Sequence, residues 1–362
     1  MTPRPRRFRQ TLKTLHLWLG LSLGVVLALV TLSGSVLLFE QPLFAAGHPE
    51  LTSRPLPDLA VQGASLQKVL ASADAKALRG LSFPDAELPV WEGSGKGGNR
   101  IYFDATTGEP LLRRMKSGDG LLTLLDWHTH LLSGEVGETV LGVVACSGLF
   151  MLFSGVWLYW PGRQRALKHL KPHANPPVLR WASLHRFVGV AALPLLIVMI
   201  GTGTTMAYRG AVRTGLASAF GERAPARPPK IAPGNAPIDW PAVLAAAQAA
   251  APDAQLTRLT LPSKDSGTLV LRIRRPGEWN LAGRSSLWMD PVSATVIGGD
   301  DATKLGPGGR LANALFPIHS AAVGGTAWRV AACITGMLPM VLLITGFLFW
   351  RARQRRRGPL LP

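Results

Sequence analysis

Four histidines stand at the ends of long apolar stretches, where an imidazole nitrogen is well placed to bind a metal ion. They are His16, His128, His185 and His319. Two imidazoles that face each other are natural axial ligands of a flat cofactor, and haem between helices suits apolar surroundings. Zinc is less favoured, because the sequence supplies no obvious third and fourth protein ligands. The residue types therefore favour paired haem ligation.

The sequence around these histidines repeats. His16 and His185 each have a glycine four residues later and a Ser/Thr-Gly pair whose glycine is at +18, in HLWLGLSLGVVLALVTLSG and HRFVGVAALPLLIVMIGTG. His128 and His319 each have a glycine at +6 and a Ser/Thr-Gly pair whose glycine is at +27. This pattern predicts two tandem helix–domain–helix repeats in the same orientation. Equivalent histidines would then meet, one pair on each side of the membrane.

The stretch DWHTHLLSG contains a second histidine, His130, two residues after His128. Positions two apart on a helix point about 200° away from each other, so both rings cannot face one centre. The +6 and +27 spacings select His128 as the ligand, with His130 as the alternative. His48, His169 and His173 have no equivalent in the other half, and we expect them to be solvated.

Two acidic and two basic residues occupy equivalent positions close to the apolar stretches. Glu138 and Arg329 both lie at +10 from their histidines, and Glu40 and Arg209 both lie at +24. Charges so close to hydrocarbon usually pair or serve a site. We predict Glu–Arg pairing across the repeat axis, or an arginine such as Arg329 turned towards a haem propionate. Snorkelling of these side chains to the lipid headgroups is the equally weighted alternative.

The elements that position these residues are four stretches long enough to cross a bilayer, for which about 20 residues are needed. The predicted spans are 15–39, 136–160, 183–208 and 326–350. The first is longer than the apolar region of a signal peptide and is predicted to be a retained anchor. The chain is thus predicted to be a membrane α-helical protein with four transmembrane helices.

Basic residues are concentrated outside these spans. Of the net charge of +18, 16 units come from three segments without any acidic residue. These are 1–14, the loop 161–182 with the following residues to Arg186, and 351–362. The positive-inside rule then places both termini and the loop in the cytoplasm. This distribution argues against a nucleic-acid-binding protein, whose basic residues would form one face.

The two long segments between spans, 41–126 and 210–315, are predicted to be extracytoplasmic α+β domains. The predicted elements are helices at Ser65–Ala73 and Trp240–Ala251, strand–turn–strand units at 100–112 (RIYFDATTGEPLL) and 285–297 (SSLWMDPVSATVI), and a strand within 267–277. Each domain is expected to place one helix on a few antiparallel strands.

Other kinds of chemistry lack their motifs. No Walker motif, Ser-His-Asp arrangement or carboxylate dyad is apparent, and no catalytic side chain is predicted. The glycines of GTGTTM (201–206) imitate part of a dinucleotide fingerprint, but they lie in an apolar helix with no preceding strand. Without a nucleotide site, electrons would have to come from a membrane quinol or a separate reductase.

At these residues the chain resembles the PepSY-associated transmembrane family, which includes bacterial inner-membrane ferric-siderophore reductases. The resemblance covers nearly the whole chain. The motifs that carry it are LHLWLG, WHTHLLSGEVG, LHRFVG, FPIHSAAVGG and the Ser/Thr-Gly pairs, and FDATTGEP resembles the turn of a PepSY domain. These motifs are specific for the family but not for a substrate.

The resemblance implies a multi-pass inner-membrane protein with two periplasmic PepSY-like domains and two b-type haems. By position, His16 and His185 would bind the cytoplasmic-side haem, and His128 and His319 the periplasmic-side haem. Electrons would pass outward to reduce Fe(III) held by a siderophore in the periplasm. Tryptophans and arginines of the outer domains are candidates for contact with the siderophore, although packing in the sheet or a solvated face is the more common role of such residues; the candidates are Trp91, Trp279, Trp288, Arg272, Arg274 and Arg275.

Two other functions stay open at this point. A permease would move siderophore or iron inward, but it would need a broken helix with a polar site at mid-membrane, and the hydropathy pattern predicts none. A non-enzymatic PepSY protein would bind or regulate another envelope protein and would contain no cofactor.

Overall fold

The computed structural model describes residues 6–160, 170–222, 226–234, 236–263 and 265–356. The predicted solvation of His169, most of the loop 161–182 and the ends of both termini lie outside the described residues. The chain forms two compact units. A helical unit comprises Met1–Leu38, Leu124–Arg209 and Ile318–Pro362, and a sheet unit comprises Phe39–Thr123 and Gly210–Pro317.

Thirteen α-helices are present among the described residues. They are α1 (Arg6–Leu21), α2 (Leu23–Leu37), α3 (Glu40–Gly47), α4 (Pro49–Thr52), α5 (Leu59–Ala71), α6 (Gly120–His130), α7 (Gly134–Tyr159), α8 (Pro177–Ala191), α9 (Leu193–Ala207), α10 (Arg209–Ala219), α11 (Trp240–Ala250), α12 (Pro307–His319) and α13 (Gly325–Arg356).

Two of these helices, α7 and α13, are long and apolar enough to cross a membrane by themselves. Each of the other two predicted spans is a pair of helices with a bend between them. The bend is 50° between α1 and α2 and 66° between α8 and α9. The described chain therefore has two candidate spans, or four if each bent pair counts as one. The expectation of unbroken first and third helices was wrong.

The bends have local causes. Pro194 is the second residue of α9, where its ring removes a backbone donor and opposes continuation of α8. Ser22 separates α1 from α2 without a proline, and its hydroxyl donates to the carbonyl of Trp18 at 2.6 Å. Glycines on both sides of Ser22, at Gly20 and Gly24, add the flexibility that such kinks use.

Small residues bring the helices of this unit close together. A side chain at Gly336 of α13 would collide with the hydroxyl of Ser35 on α2, and that hydroxyl donates to the carbonyl of Cys333 at 2.9 Å. On α7, a Cβ at Gly148 would lie 2.9 Å from Leu27 of α2. Close backbone approach is the usual basis of packing between membrane helices.

The sheet unit has one eight-stranded antiparallel sheet in the order β4-β3-β2-β1-β5-β6-β7-β8. Its strands are β1 (Leu78–Ser82), β2 (Val90–Gly95), β3 (Arg100–Asp104), β4 (Pro110–Arg114), β5 (Gln255–Thr260), β6 (Leu269–Arg274), β7 (Ser285–Asp290) and β8 (Thr295–Asp300). Each half is a meander preceded by one helix, α5 or α11, an order that a duplicated chain would have.

We expected two small α+β domains, but the strands of both segments join in one sheet. The seam is the pairing of β1 with β5, in which Leu81 lies opposite Leu259. Gly80 permits this approach, because a side chain there would collide with the carbonyl oxygen of Leu259. Joining the halves also removes one exposed edge from each, and exposed edges favour aggregation.

The helices and turns of the sheet unit largely agree with those predicted from the sequence. Asp58 caps α5 and Asp239 caps α11, each accepting a hydrogen bond from a backbone N–H three residues later. The predicted strand–turn–strand units are present at β3–β4 and β7–β8. In the first turn, Asp104 accepts hydrogen bonds from the backbone N–H groups of Thr106 and Thr107.

Alternation assigns the two faces of the sheet. Along β6, Leu269, Leu271 and Ile273 are buried, and the residues between them are partly exposed. The buried face packs on α5 and α11 in one core with Trp91 and Phe103. On the other face, a second cluster covers only the first half of the sheet; its buried members are Phe44, Leu51, Val90 and Tyr102.

Candidate functional site

His128 and His319 lie side by side in the helical unit. Their ring centres are 6.2 Å apart and their ring planes differ by 30°. His128 is near the end of α6 and His319 is the last residue of α12. The structure therefore brings together two of the four histidines that the sequence singled out, one from each half of the chain.

The Nδ1 atom of each of the four histidines lies against a Ser or Thr hydroxyl on another helix. The distances are 2.8 Å from His16 to Ser154, 3.2 Å from His128 to Ser33, 3.1 Å from His185 to Thr345 and 3.1 Å from His319 to Thr202. Each partner belongs to one of the repeated Ser/Thr-Gly pairs. None of the four Nε2 atoms hydrogen-bonds to a residue within the described part of the chain.

The hydroxyls fix which ring nitrogen carries the proton. Each hydroxyl donates to a backbone carbonyl three or four residues earlier, as Ser33 does to Val30 at 2.7 Å, so it is free to accept from Nδ1–H. For His128 the Val30 carbonyl is also 2.9 Å from Nδ1, and a carbonyl can only accept. Nδ1 is therefore the protonated nitrogen, and the lone pair of Nε2 is left available for a metal.

The glycine of each Ser/Thr-Gly pair makes room for the histidine ring. A Cβ at Gly34 would lie 2.7 Å from Cε1 of His128, and one at Gly203 would lie 3.1 Å from Cε1 of His319. At Gly155 and Gly346 the clearances to Cε1 of His16 and His185 are both 3.3 Å. Each half of the chain thus holds two such contacts: His16 rests on α7 and His128 on α2 in the first half, and His185 rests on α13 and His319 on α9 in the second.

The glycines at +6 have a different role. Gly134 and Gly325 are the first residues of α7 and α13, with φ of 56° and 63°. This left-handed conformation is easily adopted only by glycine. The +6 spacing therefore marks the sharp turn between a histidine-bearing helix and the following membrane helix.

His16 and His185 form the second pair of positions. They lie on α1 and α8, one in each half of the chain. His185 Nδ1 is also 3.0 Å from the carbonyl of Leu342. His16 rests on the end of α7, and His185 on α13, in the same manner as the other pair.

The remaining histidines have other surroundings. His130 turns to its own helix, with Nδ1 2.7 Å from the hydroxyl of Thr129 and 3.7 Å from a carboxylate oxygen of Asp126. His48 pairs with Glu50 at 3.0 Å, and both are partly exposed. His128, and not His130, is the neighbour of His319.

The predicted Glu–Arg pairs are not formed as expected. Glu138 lies 3.8 Å from Arg209 instead of contacting Arg329, and Glu40 lies 3.6 Å from Arg100. The offsets gave the depth of each charge but not the side of the helix on which it lies. Arg329 has a buried Nε atom that makes no hydrogen bond with the described residues. A buried donor without an acceptor is costly, so this atom is suited to an acceptor from a ligand.

The distance between the His128 and His319 rings would allow both to hold one metal ion. Metal–imidazole bonds are about 2.0 Å long, so two imidazoles on opposite sides of one metal ion have ring centres about 6 Å apart. The observed 6.2 Å agrees with this. No three His, Cys, Asp or Glu side chains come together as metal ligands in the described ranges. The arrangement suits a metal that brings its own equatorial ligands, as haem does, better than zinc.

Comparison with known families gives the chain its class. A family model described as the PepSY-associated TM region matches residues 13–353. The chain belongs to this family. No curated protein matches the chain significantly.

As a member of the PepSY-associated family, the protein is a multi-pass membrane protein with a sheet domain. Sequence reasoning used the Ser/Thr-Gly pairs of this PepSY-associated protein only to align its halves, and it missed their role. The signal was present, because each pair combines a hydroxyl that can accept from imidazole with a residue that has no side chain. Four repetitions of that combination indicate a constraint from a neighbouring group.

The helices that carry His128 and His319 have acidic residues at their N-terminal ends. Asp119 accepts from the backbone N–H of Leu122 at the start of α6, and Glu222 accepts from Gly308 and Gly309 at the start of α12. Arg114 also binds Asp119 with two hydrogen bonds, of 2.6 and 2.9 Å. These hydrogen bonds hold the pKa of the Asp119 carboxyl below its usual range.

An Asp119→Ala variant should lose about 2–4 kcal/mol of unfolding free energy, because it leaves the buried Arg114 without its carboxylate. Since the pKa of Asp119 is lower in the folded than in the unfolded protein, its stabilisation is present above about pH 4 and is lost as the pH falls further. Unfolding of the detergent-solubilised protein at pH 7 and at acidic pH measures both effects. The control Asp74→Ala breaks the more exposed pair with Arg113 and should cost under about 1 kcal/mol. Equal losses in both variants would contradict the prediction.

Proposed function

We propose that this protein is a di-haem transmembrane oxidoreductase that passes electrons outward across the bacterial inner membrane and reduces ferric siderophore in the periplasm. The observation that carries the proposal is the His128–His319 pair, with ring centres 6.2 Å apart and neither Nε2 atom hydrogen-bonded to a described residue. The equivalent contacts of His16 and His185 support a second site of the same kind.

The residues have defined roles in this proposal. His128 and His319 hold the periplasmic-side haem, and His16 and His185 hold the cytoplasmic-side haem. When bound, the two b-type haems supply one-electron redox centres. The Ser/Thr hydroxyls keep the imidazoles in the tautomer that binds iron, and their neighbouring glycines set how near each ring approaches its partner helix.

The helical unit also excludes water from the interior. Its buried core is apolar and consists of Leu27, Val144, Ala192, Leu196 and Ile200. Such a core insulates electron transfer from the solvent and leaves the protein to tune the redox potential through burial and nearby charge.

The orientation follows from charge. The basic residues of 1–14, 161–182 and 351–362 favour cytoplasmic termini and a cytoplasmic loop. The segments that form the sheet unit are then periplasmic, where ferric siderophore is the acceptor. A membrane quinol or a separate reductase is the electron donor. Hard oxygen ligands hold Fe(II) less well than Fe(III), so reduction releases the iron.

Arg329 is the residue we assign to a haem propionate, because its buried Nε lacks an acceptor in the described residues. An Arg329→Gln variant should bind the outer haem about 10-fold more weakly, as is usual when a group supporting a metal site is lost. Haem retained after dilution in detergent measures this. Arg209→Gln is the matched control, since Arg209 is exposed and already lies near Glu138. Unchanged haem retention in Arg329→Gln would remove this assignment.

The visible spectrum of the purified full-length protein tests the proposed function. The reduced protein should show b-type haem, with about two haems per chain by pyridine haemochrome. Adding a ferric siderophore should reoxidise the haem while an Fe(II) chelator captures the product. Absence of haem from protein made in haem-sufficient cells would reject the proposal, and haem that ferric siderophore does not oxidise would reject the substrate.

A permease is the second candidate, and the bends between α1 and α2 and between α8 and α9 favour it. Broken helices are common in transporters, where the break exposes polar backbone to the substrate. Here the breaks fall at Ser22 and Ala192, and Ala192 is buried in the apolar core. Uptake of labelled ferric siderophore by vesicles containing haem-free protein would favour the permease. A non-enzymatic PepSY role predicts neither uptake nor haem.

A further inference from the structure

One row of residues crosses the second half of the sheet on the face opposite α5 and α11. Arg258 of β5 lies directly opposite Ser82 of β1 on one side and Arg272 of β6 on the other. Arg272 in turn lies opposite Ser286 of β7. Because directly opposite residues project from the same face, the two guanidinium groups are neighbours with a serine on either side, and beyond the serines the carboxylates Glu92 of β2 and Asp300 of β8 continue the line. We call the two arginines and the two serines the cross-strand row.

Among the described residues, no carboxylate forms an ion pair with Arg258 or Arg272. Arg258 donates to the hydroxyl of Ser94 at 3.0 Å, which is a neutral acceptor. The guanidinium of Arg272 makes no hydrogen bond or ion pair with the described residues, although the side chain is partly buried. Burial and the charge of Arg258 lower the pKa of Arg272, and the charge of Glu278 opposes them.

Several other arginines of the sheet unit have acidic partners. Arg100 contacts Glu92 at 3.3 Å, and Arg114 binds Asp119. Arg275 lies 3.1 Å from Asp253. Like charges directly opposite each other destabilise a sheet, and a partly buried charge is costly without a partner. A departure from these local rules that the fold does not compensate is typical of a functional position.

We propose that the cross-strand row binds an anionic, oxygen-rich ligand, and that this ligand is a ferric siderophore with net negative charge. Anionic oxygens would accept charge-assisted hydrogen bonds from both guanidinium groups and remove the repulsion between them. The row spans four neighbouring strands, so three strand spacings, about 14 Å, separate its two serines. That length suits a chelate with several oxygens better than a single phosphate. The inference rests on the proposed function, because it names the class of substrate.

This site revises the residues expected to contact siderophore. Trp91 is fully buried in the opposite face, and its indole N–H donates to Ser65 at 3.0 Å, so it cannot contact a ligand at the surface. Arg275 is engaged with Asp253 and Asp301. Arg272, Arg274, Trp279 and Trp288 stay candidates, and Arg258 joins them; the sequence did not single it out because it lies on a strand that was not predicted.

Equilibrium dialysis of the full-length protein with radiolabelled iron complexes tests the site. The probes are trianionic Fe(III) tris-catecholate and uncharged Fe(III) trihydroxamate, with inorganic phosphate as a competitor. The variants are Arg258→Gln, Arg272→Gln and the double variant. The control is Arg79→Gln, which removes an exposed charge from β1 outside the row. The double variant should bind tris-catecholate about 10-fold or more weakly, with trihydroxamate binding unchanged.

Stability separates a ligand site from a structural role. If Arg272 serves to bind a ligand, its repulsion with Arg258 destabilises the unliganded sheet. Arg272→Gln should then leave the melting temperature unchanged or raise it. A lowered melting temperature with unchanged tris-catecholate binding would overturn the proposal. Displacement of the chelate by an equal concentration of phosphate would overturn it too, since the row would then be a general site for phosphate, including lipid headgroups.

The haem content and its reoxidation by trihydroxamate are measured on the same preparations. Wild-type protein without haem would reject the proposed function, whatever the dialysis shows. If haem and reoxidation are normal and the double variant binds tris-catecholate like the wild type, only the anionic site is rejected.

Discussion

A His128→Ala variant is expected to lose the outer haem and keep the inner one, so that haem falls from about two to about one per chain. His128 lies beside His319, its Nε2 makes no hydrogen bond with the described residues, and its Nδ1 is held by Ser33 and the Val30 carbonyl. Alanine removes the nitrogen that would bind iron, and one remaining imidazole holds a b-type haem far less tightly than two. Pyridine haemochrome on protein purified by size exclusion measures the change.

The matched control is His130→Ala, two residues away on the same helix. His130 interacts with Thr129 and Asp126, so this variant should keep both haems. His16→Ala should give the complementary result, with the outer haem kept and the inner one lost. If His130→Ala lost a haem and His128→Ala did not, the ligand assignment would be reversed.

Spacing alone was enough to choose His128 over His130. Helical geometry separates the two rings, and the glycines at +6 and +27 from His128 have equivalents after His319. The structure places His128 beside His319 and gives the +6 glycines a positive φ. Spacing was informative here because it reflects backbone requirements, and only glycine meets a positive φ easily.

Pairing between distant strands could not be predicted in the same way. β1 and β5 are more than 170 residues apart, and nothing local in either strand says which edge it will join. Hydropathy also failed at the bends, because an average over about 20 residues registers apolar character but not a backbone break. Pro194 was a readable signal for one bend, and Ser22 offered a weaker one.

The ion pairs show a further limit of sequence reasoning. Glu138 and Arg329 occupy equivalent offsets, yet Glu138 is close to Arg209. An offset from a reference residue gives depth along a helix, and pairing depends also on rotation about the axis and on side-chain reach. The same limit hid Arg258, whose importance comes only from its position opposite Arg272.

Alanine substitutions at the four histidine-contacting glycines should reduce haem retention in the order of their clearances. Gly34→Ala should have the largest effect, since its Cβ would lie 2.7 Å from Cε1 of His128, closer than real Cβ contacts allow. Gly203→Ala, at 3.1 Å from His319, should be intermediate. Gly155→Ala and Gly346→Ala, both at 3.3 Å, should be mildest and should affect the inner haem. Haem loss over time in detergent gives the ranking.

The control for helix propensity is Gly201→Ala, two residues before Gly203 on α9, where a Cβ would meet nothing within 4 Å. Alanine favours a helix by roughly 1 kcal/mol over glycine, so this variant should be at least as stable as the wild type and should retain both haems. The Gly34→Ala variant would thus lose haem, while the Gly201→Ala variant in the same unit would gain stability. The four glycines are ranked by their distance to an imidazole. Equal haem loss in all four variants would mean that the glycines serve helix packing and not the position of the histidines. The same conclusion would follow if Gly201→Ala were as damaging as Gly34→Ala.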